Sequence, residues 1–182
     1  MNTDRRILMK GCIHIYTGNG KGKTSAATGL AVRFAGTGGR VLFSQFLKDG
    51  KSGELSVLET IDEIDVDVCR ECFGFSFAMS EETRAQAKDA YTAYLRRILK
   101  RAVDESYGLL VLDEIIATCN LGFVDQAELV TFLKNKPNTL EVVLTGRNPA
   151  QEIVDLADYV SEIKKIKHPY DQGVLARQGI EY

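Results

Sequence analysis

The sequence has no tryptophan, only two histidines, and no apolar run approaching the roughly 18 residues of a bilayer-spanning helix. The missing run excludes a transmembrane helix. Met1 to Lys10 holds no signal-peptide core and is interrupted by Asp4, Arg5 and Arg6, so the expected location is cytoplasmic. Charge of one sign is also lacking. A net charge of -2 leaves no electrostatic footprint for nucleic acid or an anionic membrane. The basic pairs Arg5-Arg6 and Lys164-Lys165 are too short to change that and read as solvated faces. There is no internal repeat and no low-complexity linker. With 182 residues, 45% hydrophobic and 26% charged, residues 1–182 are expected to form one domain with its own core.

The scarcity of histidine bears on the four cysteines, Cys12, Cys69, Cys72 and Cys119. Cys69 and Cys72 have the C-x-x-C spacing of zinc and redox sites. A structural zinc site needs two further ligands, and neither a second C-x-x-C nor a histidine pair supplies them. Reduced thiols without a metal or redox role are the expectation.

Strands and helices alternate along the chain, which implies an α/β fold with a mostly parallel sheet flanked by helices. Strands are expected at Cys12 to Tyr16, Val41 to Phe46, Ile64 to Cys69, Leu109 to Leu112, Leu140 to Thr145 and Tyr159 to Ile163. A helix should run from Lys23 to about Gly36, where glycines stop it. Ser80 reads as the N-cap of a long helix. Ala87, Tyr91, Leu95, Ile98 and Ala102 form its apolar stripe, and Glu81 and Glu82 suit its dipole. Asp125 and Glu128 read as a capping box. Asn148 and Pro149 read as the N-cap and first residue of a further helix. From His168 on, no period is visible.

The strongest signal is Thr17-Gly18-Asn19-Gly20-Lys21-Gly22-Lys23-Thr24-Ser25, placed between a strand and a helix. Glycines let backbone N–H groups approach phosphate oxygens without side-chain clashes, and a helix N-terminus adds unpaired donors. Lys23 adds a full charge, and the Thr24 hydroxyl suits Mg²⁺. The usual phosphate loop opens with glycine at the position of Thr17, so this loop is a variant. A second motif, Asp113-Glu114, follows four apolar residues at a strand end, where P-loop proteins hold Mg²⁺. Arg33 on the helix after the loop and Arg147 after a strand are further candidates to neutralise phosphate.

These segments resemble the ATP:corrinoid adenosyltransferases. The resemblance begins at Gly11 to Ala27 and continues through Gln45-Phe46-Leu47-Lys48, Val111 to Glu114 and Leu144 to Asn148. It ends in Lys167-His168-Pro169-Tyr170-Asp171-Gln172-Gly173 and Gln178 to Tyr182. It implies a RecA-like P-loop NTPase fold, usually a homodimer, with ATP reversed in the loop relative to most P-loop enzymes. It also implies the reaction: Co(I) of a corrinoid attacks C5′ of ATP and expels triphosphate, in adenosylcobalamin biosynthesis or salvage. Lys23, Thr24 and Glu114 would be the catalytic residues. Thr24, Asp113 and Glu114 would hold Mg²⁺. Residues 18–25, Arg33 and Arg147 would bind ATP. Phe75, Phe77, His168 and Tyr170 would meet the corrinoid, with Phe77 standing where the family commonly has tryptophan. An electron-donating flavoprotein reductase is the implied partner for making Co(I). An N-terminal extension would help cover the partner's site, and the segment before residue 11 is short for that. The residues alone also admit a conventional P-loop ATPase or kinase acting at the γ-phosphate, or a carrier without catalysis.

Overall fold

The computed structural model describes residues 10–69, 71, 73 and 79–181. Phe75, Phe77, Cys72 and the first nine residues, with Arg5 and Arg6, lie outside that set.

Strand β1 (Ile13–Thr17) leads through the glycine-rich loop into α1 (Lys23–Ala35). Then follow β2 (Val41–Gln45), α2 (Gly53–Leu58), β3 (Ile64–Val68) and the long α3 (Glu81–Asp104). The chain continues as β4 (Leu109–Asp113), α4 (Ile115–Asn120), α5 (Gln126–Asn135), β5 (Glu141–Thr145), α6 (Gln151–Leu156) and β6 (Tyr159–Glu162). A 3₁₀ turn at Pro169–Gln172 interrupts the tail.

All six strands join one sheet in the order β3-β2-β4-β5-β1-β6, and every pairing is parallel. The expected α/β, P-loop architecture is therefore present. A parallel sheet of this kind is covered on both faces, which is why β2 and β4 are buried at every position. On one face α1 lays Ala27, Ala31 and Ala35 against Val41, Phe43, Leu109, Val111 and Val143. On the other, the α3 stripe of Ala87, Tyr91, Leu95, Ile98 and Ala102 packs over Leu42, Leu110, Leu112 and Leu144. Burying each large side chain of this set contributes roughly 1.5–3 kcal/mol.

The caps decide where helices begin. The Ser80 hydroxyl accepts from the Thr83 N–H, as the sequence predicts. The Asp125 carboxylate accepts from the Ala127 N–H at 2.9 Å, but Glu128 does not close a capping box. It pairs instead with Arg96 on α3, tying two helices together. The expected helix start at Asn148 and Pro149 is corrected. Asn148 has φ of 52°, a left-handed turn unlike the extended backbone usual at an N-cap, and the helix begins two residues later with Ala150 as its cap. Two six-residue helices, α2 and α4, have no counterpart in the sequence reading.

The consequence for function lies in the register. Gln45 sits opposite Asp113 across β2 and β4, and Thr145 opposite Tyr16 across β5 and β1. The carboxyl ends of four central strands therefore open on one edge, where α/β sheets gather ligands.

Candidate active site

The loop after β1 is shaped by what packs behind it. A Cβ on Gly18 would come within 2.4 Å of the Ile163 carbonyl oxygen, and one on Gly20 within 2.7 Å. Gly22 has open space but takes φ of +119°, which favours glycine. Thr17 needs no such freedom because it stays in β1, paired with Glu162. The sequence variant at the loop's first position thus has a structural reason: the turn starts one residue later, at Gly18, with φ of 102°.

Three loop residues are tied to the C-terminal segment. The Gly20 N–H donates to the Ile163 carbonyl at 2.7 Å. The Lys165 N–H donates to Asn19 Oδ1 at 2.8 Å, and Lys21 pairs with Glu181 at 3.2 Å. Asn19 and Lys21 therefore hold the loop to the tail, a role that no local motif signals.

Lys23 turns inward. It is 8% exposed, and its ammonium donates to the carbonyls of Gly18 and Gly20, both at 2.9 Å. Burial and the neighbouring Arg147 push its pKa below the usual lysine value, against the pull of Glu114 and Asp113. Thr24, next on α1, donates its hydroxyl to Asp113 Oδ1 at 3.0 Å. Ser25 is exposed on the same first turn.

Asp113 is completely buried and is the hub of the site. Thr145 Oγ1 donates to its Oδ1 at 2.7 Å, and Gln45 Nε2 and Lys48 Nζ donate to its Oδ2 at 3.0 and 3.1 Å. Glu114 follows with φ of 63° and caps α4. A left-handed non-glycine residue costs about 1–2 kcal/mol, and such strain clusters at functional sites. The Glu114 N–H is fixed on Thr145 Oγ1 at 2.8 Å, so one threonine positions both acids. Burial, then the charge of Asp113, raises the Glu114 pKa, and Lys48, Lys23 and Arg147 partly offset this.

Lys23, Glu114, Ala117, Asn120, Leu121, Arg147 and Asn148 line a cavity of about 380 Å³ beside this hub. Asn120 Nδ2 donates to the carbonyls of Arg147 and Asn148, which fixes the β5–α6 turn against α4. The sequence-predicted residues Lys23, Thr24, Asp113, Glu114 and Arg147 thus come together. Arg33 does not join them. It is exposed in the last turn of α1, about 13 Å along the axis from Thr24. His168 and Tyr170 lie on the tail, where His168 Nδ1 caps the 3₁₀ turn and Tyr170 is 69% exposed. Phe75 and Phe77 lie outside the described residues, while the adjacent Phe73 packs edge-on against Tyr91 in the core. Cys69 is buried and its thiol pKa is raised by that burial, which disfavours the reactive thiolate.

Gln45, Lys48 and Thr145 are site residues that motif reading missed. Their signal was position: each stands at or just past the carboxyl end of a central strand, as Asp113 does. The hydroxyl of Thr24 and the carboxylates of Asp113 and Glu114 are hard oxygen donors, which suits Mg²⁺. The fold already brings an ammonium, that of Lys48, onto the first two, so a cation fits there.

A family model for ATP:corrinoid adenosyltransferase BtuR/CobO/CobP matches residues 9–182. A corrinoid adenosyltransferase of Sinorhizobium sp is 36% identical over 179 residues, covering 95% of this chain and 81% of the relative. The corrinoid adenosyltransferase of Escherichia coli K12 is 34% identical over 174 residues, covering 95% and 86%. The corrinoid adenosyltransferase CobA of Salmonella typhimurium LT2 is 35% identical over the same shares.

Proposed function

The chain belongs to the ATP:corrinoid adenosyltransferase family, and from that premise we propose how its own residues carry out adenosyl transfer. ATP and a corrinoid are the substrates, and the product serves cobalamin biosynthesis. Co(I) attacks the ribose C5′. A cobalt–carbon bond forms, the C5′–O5′ bond breaks, and triphosphate leaves with the bonding pair. Cobalt is the nucleophile, so no side-chain base is required. The chain's tasks are alignment and stabilisation of the leaving charge.

The observation that carries this reading is the inward Lys23. An ammonium held on two loop carbonyls at a helix N-terminus is a cation kept out of water and aimed at the place an anion would fill. Arg147 lines the adjoining cavity and adds a second charge; Arg33 has no such support. Gly18 to Ser25 would surround the triphosphate, with Gly20 surrendering its bond to Ile163 if its N–H is to reach phosphate. Mg²⁺, held by Thr24, Asp113 and Glu114, would supply further neutralisation of the departing triphosphate.

Phe75 and Phe77 would wall the lower face of the corrin ring, with His168 and Tyr170 at its margin. Co(I) would be made with electrons from a flavoprotein reductase. Ile166, Leu175 and Ile180 stand exposed along the tail, and a second copy in a homodimer would cover them. Residues 1–182 would act as one domain in the cytoplasm; no helix among the described residues is long and apolar enough to cross a membrane.

Lys23→Ala tests the reading. Cobalt–carbon bond formation, followed by absorbance with preformed Co(I) corrinoid, should fall by about 100-fold or more. The fold should survive, because the variant removes a buried charge. Unchanged turnover would refute the role of the loop.

A further inference from the structure

Asp113 has no room for another partner. Its Oδ1 accepts from Thr145 and Thr24, and its Oδ2 accepts from Gln45 and Lys48. A carboxylate offers about four lone-pair sites, and four donors fill them. Lys48 also lies 3.4 Å from Thr24 Oγ1, the oxygen best placed to face a metal ion. A metal that binds either oxygen must first displace a donor.

Three of the donors are fixed. Thr24 is rooted in α1, and Gln45 and Thr145 are fully buried at strand ends. Lys48 differs in every respect. It reaches in from the loop after β2 on a four-carbon stem, and its side chain is 29% exposed. It has a second acceptor waiting, Glu54 Oε1 at 3.8 Å. The residue before it, Leu47, is held at φ of 57°, a strained turn that re-aims the chain just ahead of Lys48.

Gln45 supplies an independent sign of a missing ligand. Its Nε2 donates to both Glu54 and Asp113, which fixes the orientation of the amide. Its Oε1 is then left buried without a hydrogen-bond partner. A buried acceptor of this kind calls for a donor, and water carried on a metal ion is one.

We propose that Lys48 is a placeholder cation. Its ammonium neutralises the buried Asp113 carboxylate and contacts Thr24 Oγ1 in the nucleotide-free protein and yields to Mg²⁺, swinging toward Glu54, when the metal arrives with triphosphate. This rests on the reading that Thr24, Asp113 and Glu114 hold Mg²⁺. The placeholder spares the fold an unpaired buried carboxylate. It also sets a threshold, because metal binding is weakened by the fraction of molecules in which Lys48 occupies the site.

The test uses the full chain, with inorganic tripolyphosphate as the probe and isothermal titration calorimetry across a Mg²⁺ series. The readout is the Mg²⁺ concentration that gives half of the saturating effect. Lys48→Met should lower it by about tenfold, since the competitor is gone. Lys48→Arg should leave it high. Glu54→Gln should raise it severalfold, because Lys48 loses its alternative acceptor, and this variant decides the matter alone if Lys48→Met does not fold. A permanent salt bridge would instead lower thermal stability in Lys48→Met with the Mg²⁺ midpoint unmoved, and that result, or no rise in Glu54→Gln, overturns the proposal. If tripolyphosphate binds the unaltered protein equally with and without Mg²⁺, the magnesium reading falls, and the placeholder with it.

Discussion

Asp65 and Asp67 on β3, and Asp113 and Glu114 at the end of β4, are two acidic pairs of one parallel sheet with only β2 between them. The first pair is surrounded by cations on the sheet's edge. Arg97 grips Asp67 with Nη1 and Nη2, at 2.5 and 2.9 Å, and Arg101 adds a third contact at 3.3 Å. The Tyr107 hydroxyl donates to Asp65 at 2.6 Å, and Arg40 joins at 3.1 Å. Those partners hold the Asp65 pKa below its usual value, the Tyr107 bond foremost. The charges also blunt an edge strand that would otherwise invite pairing with another sheet.

In the second pair Asp113 is likewise filled with donors, and Glu114 is treated in the opposite way. Glu114 sits on a strained backbone, its pKa is raised, and a neighbouring amide oxygen lacks a donor. Burial here is not compensated in full within the chain. The difference separates carboxylates satisfied within the fold from Glu114, whose uncompensated burial is what the proposed metal site would relieve.

The largest effect is expected at Glu114. Glu114→Gln should lower adenosyl transfer by about 100-fold while making the ligand-free protein more stable near neutral pH. The sign follows from its raised pKa. Folding favours the protonated acid, so the stabilisation is complete below the ordinary value of 4.5 and is lost as pH rises through the elevated folded value. Urea melts of the ligand-free protein should therefore lose stability over that rise, and Glu114→Gln should not. A parallel loss in both proteins would mean that Glu114 is no more strained than the edge acids.

Arg97→Ala sharpens the contrast from the other side. It should cost about 1 kcal/mol, the upper range for a partly exposed ion pair, and leave transfer within about twofold. A larger loss of activity would show that the edge cluster reaches the site. The smallest effect is expected at Asp65, which is 40% exposed. Its depressed pKa contributes stability above the ordinary 3.8 that is lost as pH falls through the folded value. Asp65→Asn should flatten the acid limb of stability measured by circular dichroism, with little change at neutral pH.

Much of this was legible before the fold was known. The glycine loop and Asp113-Glu114 were visible because their chemistry depends on local spacing, strand then turn then helix. The α3 stripe was visible because a 24-residue helix repeats its period many times. Helices α2 and α4 were not, since six residues span under two turns and leave no period to read. Asn148 misled because its side chain suits a cap while its backbone takes the left-handed turn that asparagine also tolerates. Lys48, Gln45 and Thr145 escaped because their importance comes from strand order. Only the adjacency of β2 and β5 to β4 brings them to Asp113; the segments Gln45 to Lys48 and Leu144 to Asn148 stand out as family motifs without showing that role.

In the proposed reaction the loop grips the polyphosphate so that carbon, not phosphorus, is the electrophile. Phosphorus NMR of the products formed from ATP and a Co(I) corrinoid distinguishes the two electrophiles. Intact triphosphate appearing one for one with the cobalt–carbon bond is the predicted result. ADP and phosphate, formed whether or not the corrinoid is present, would contradict it.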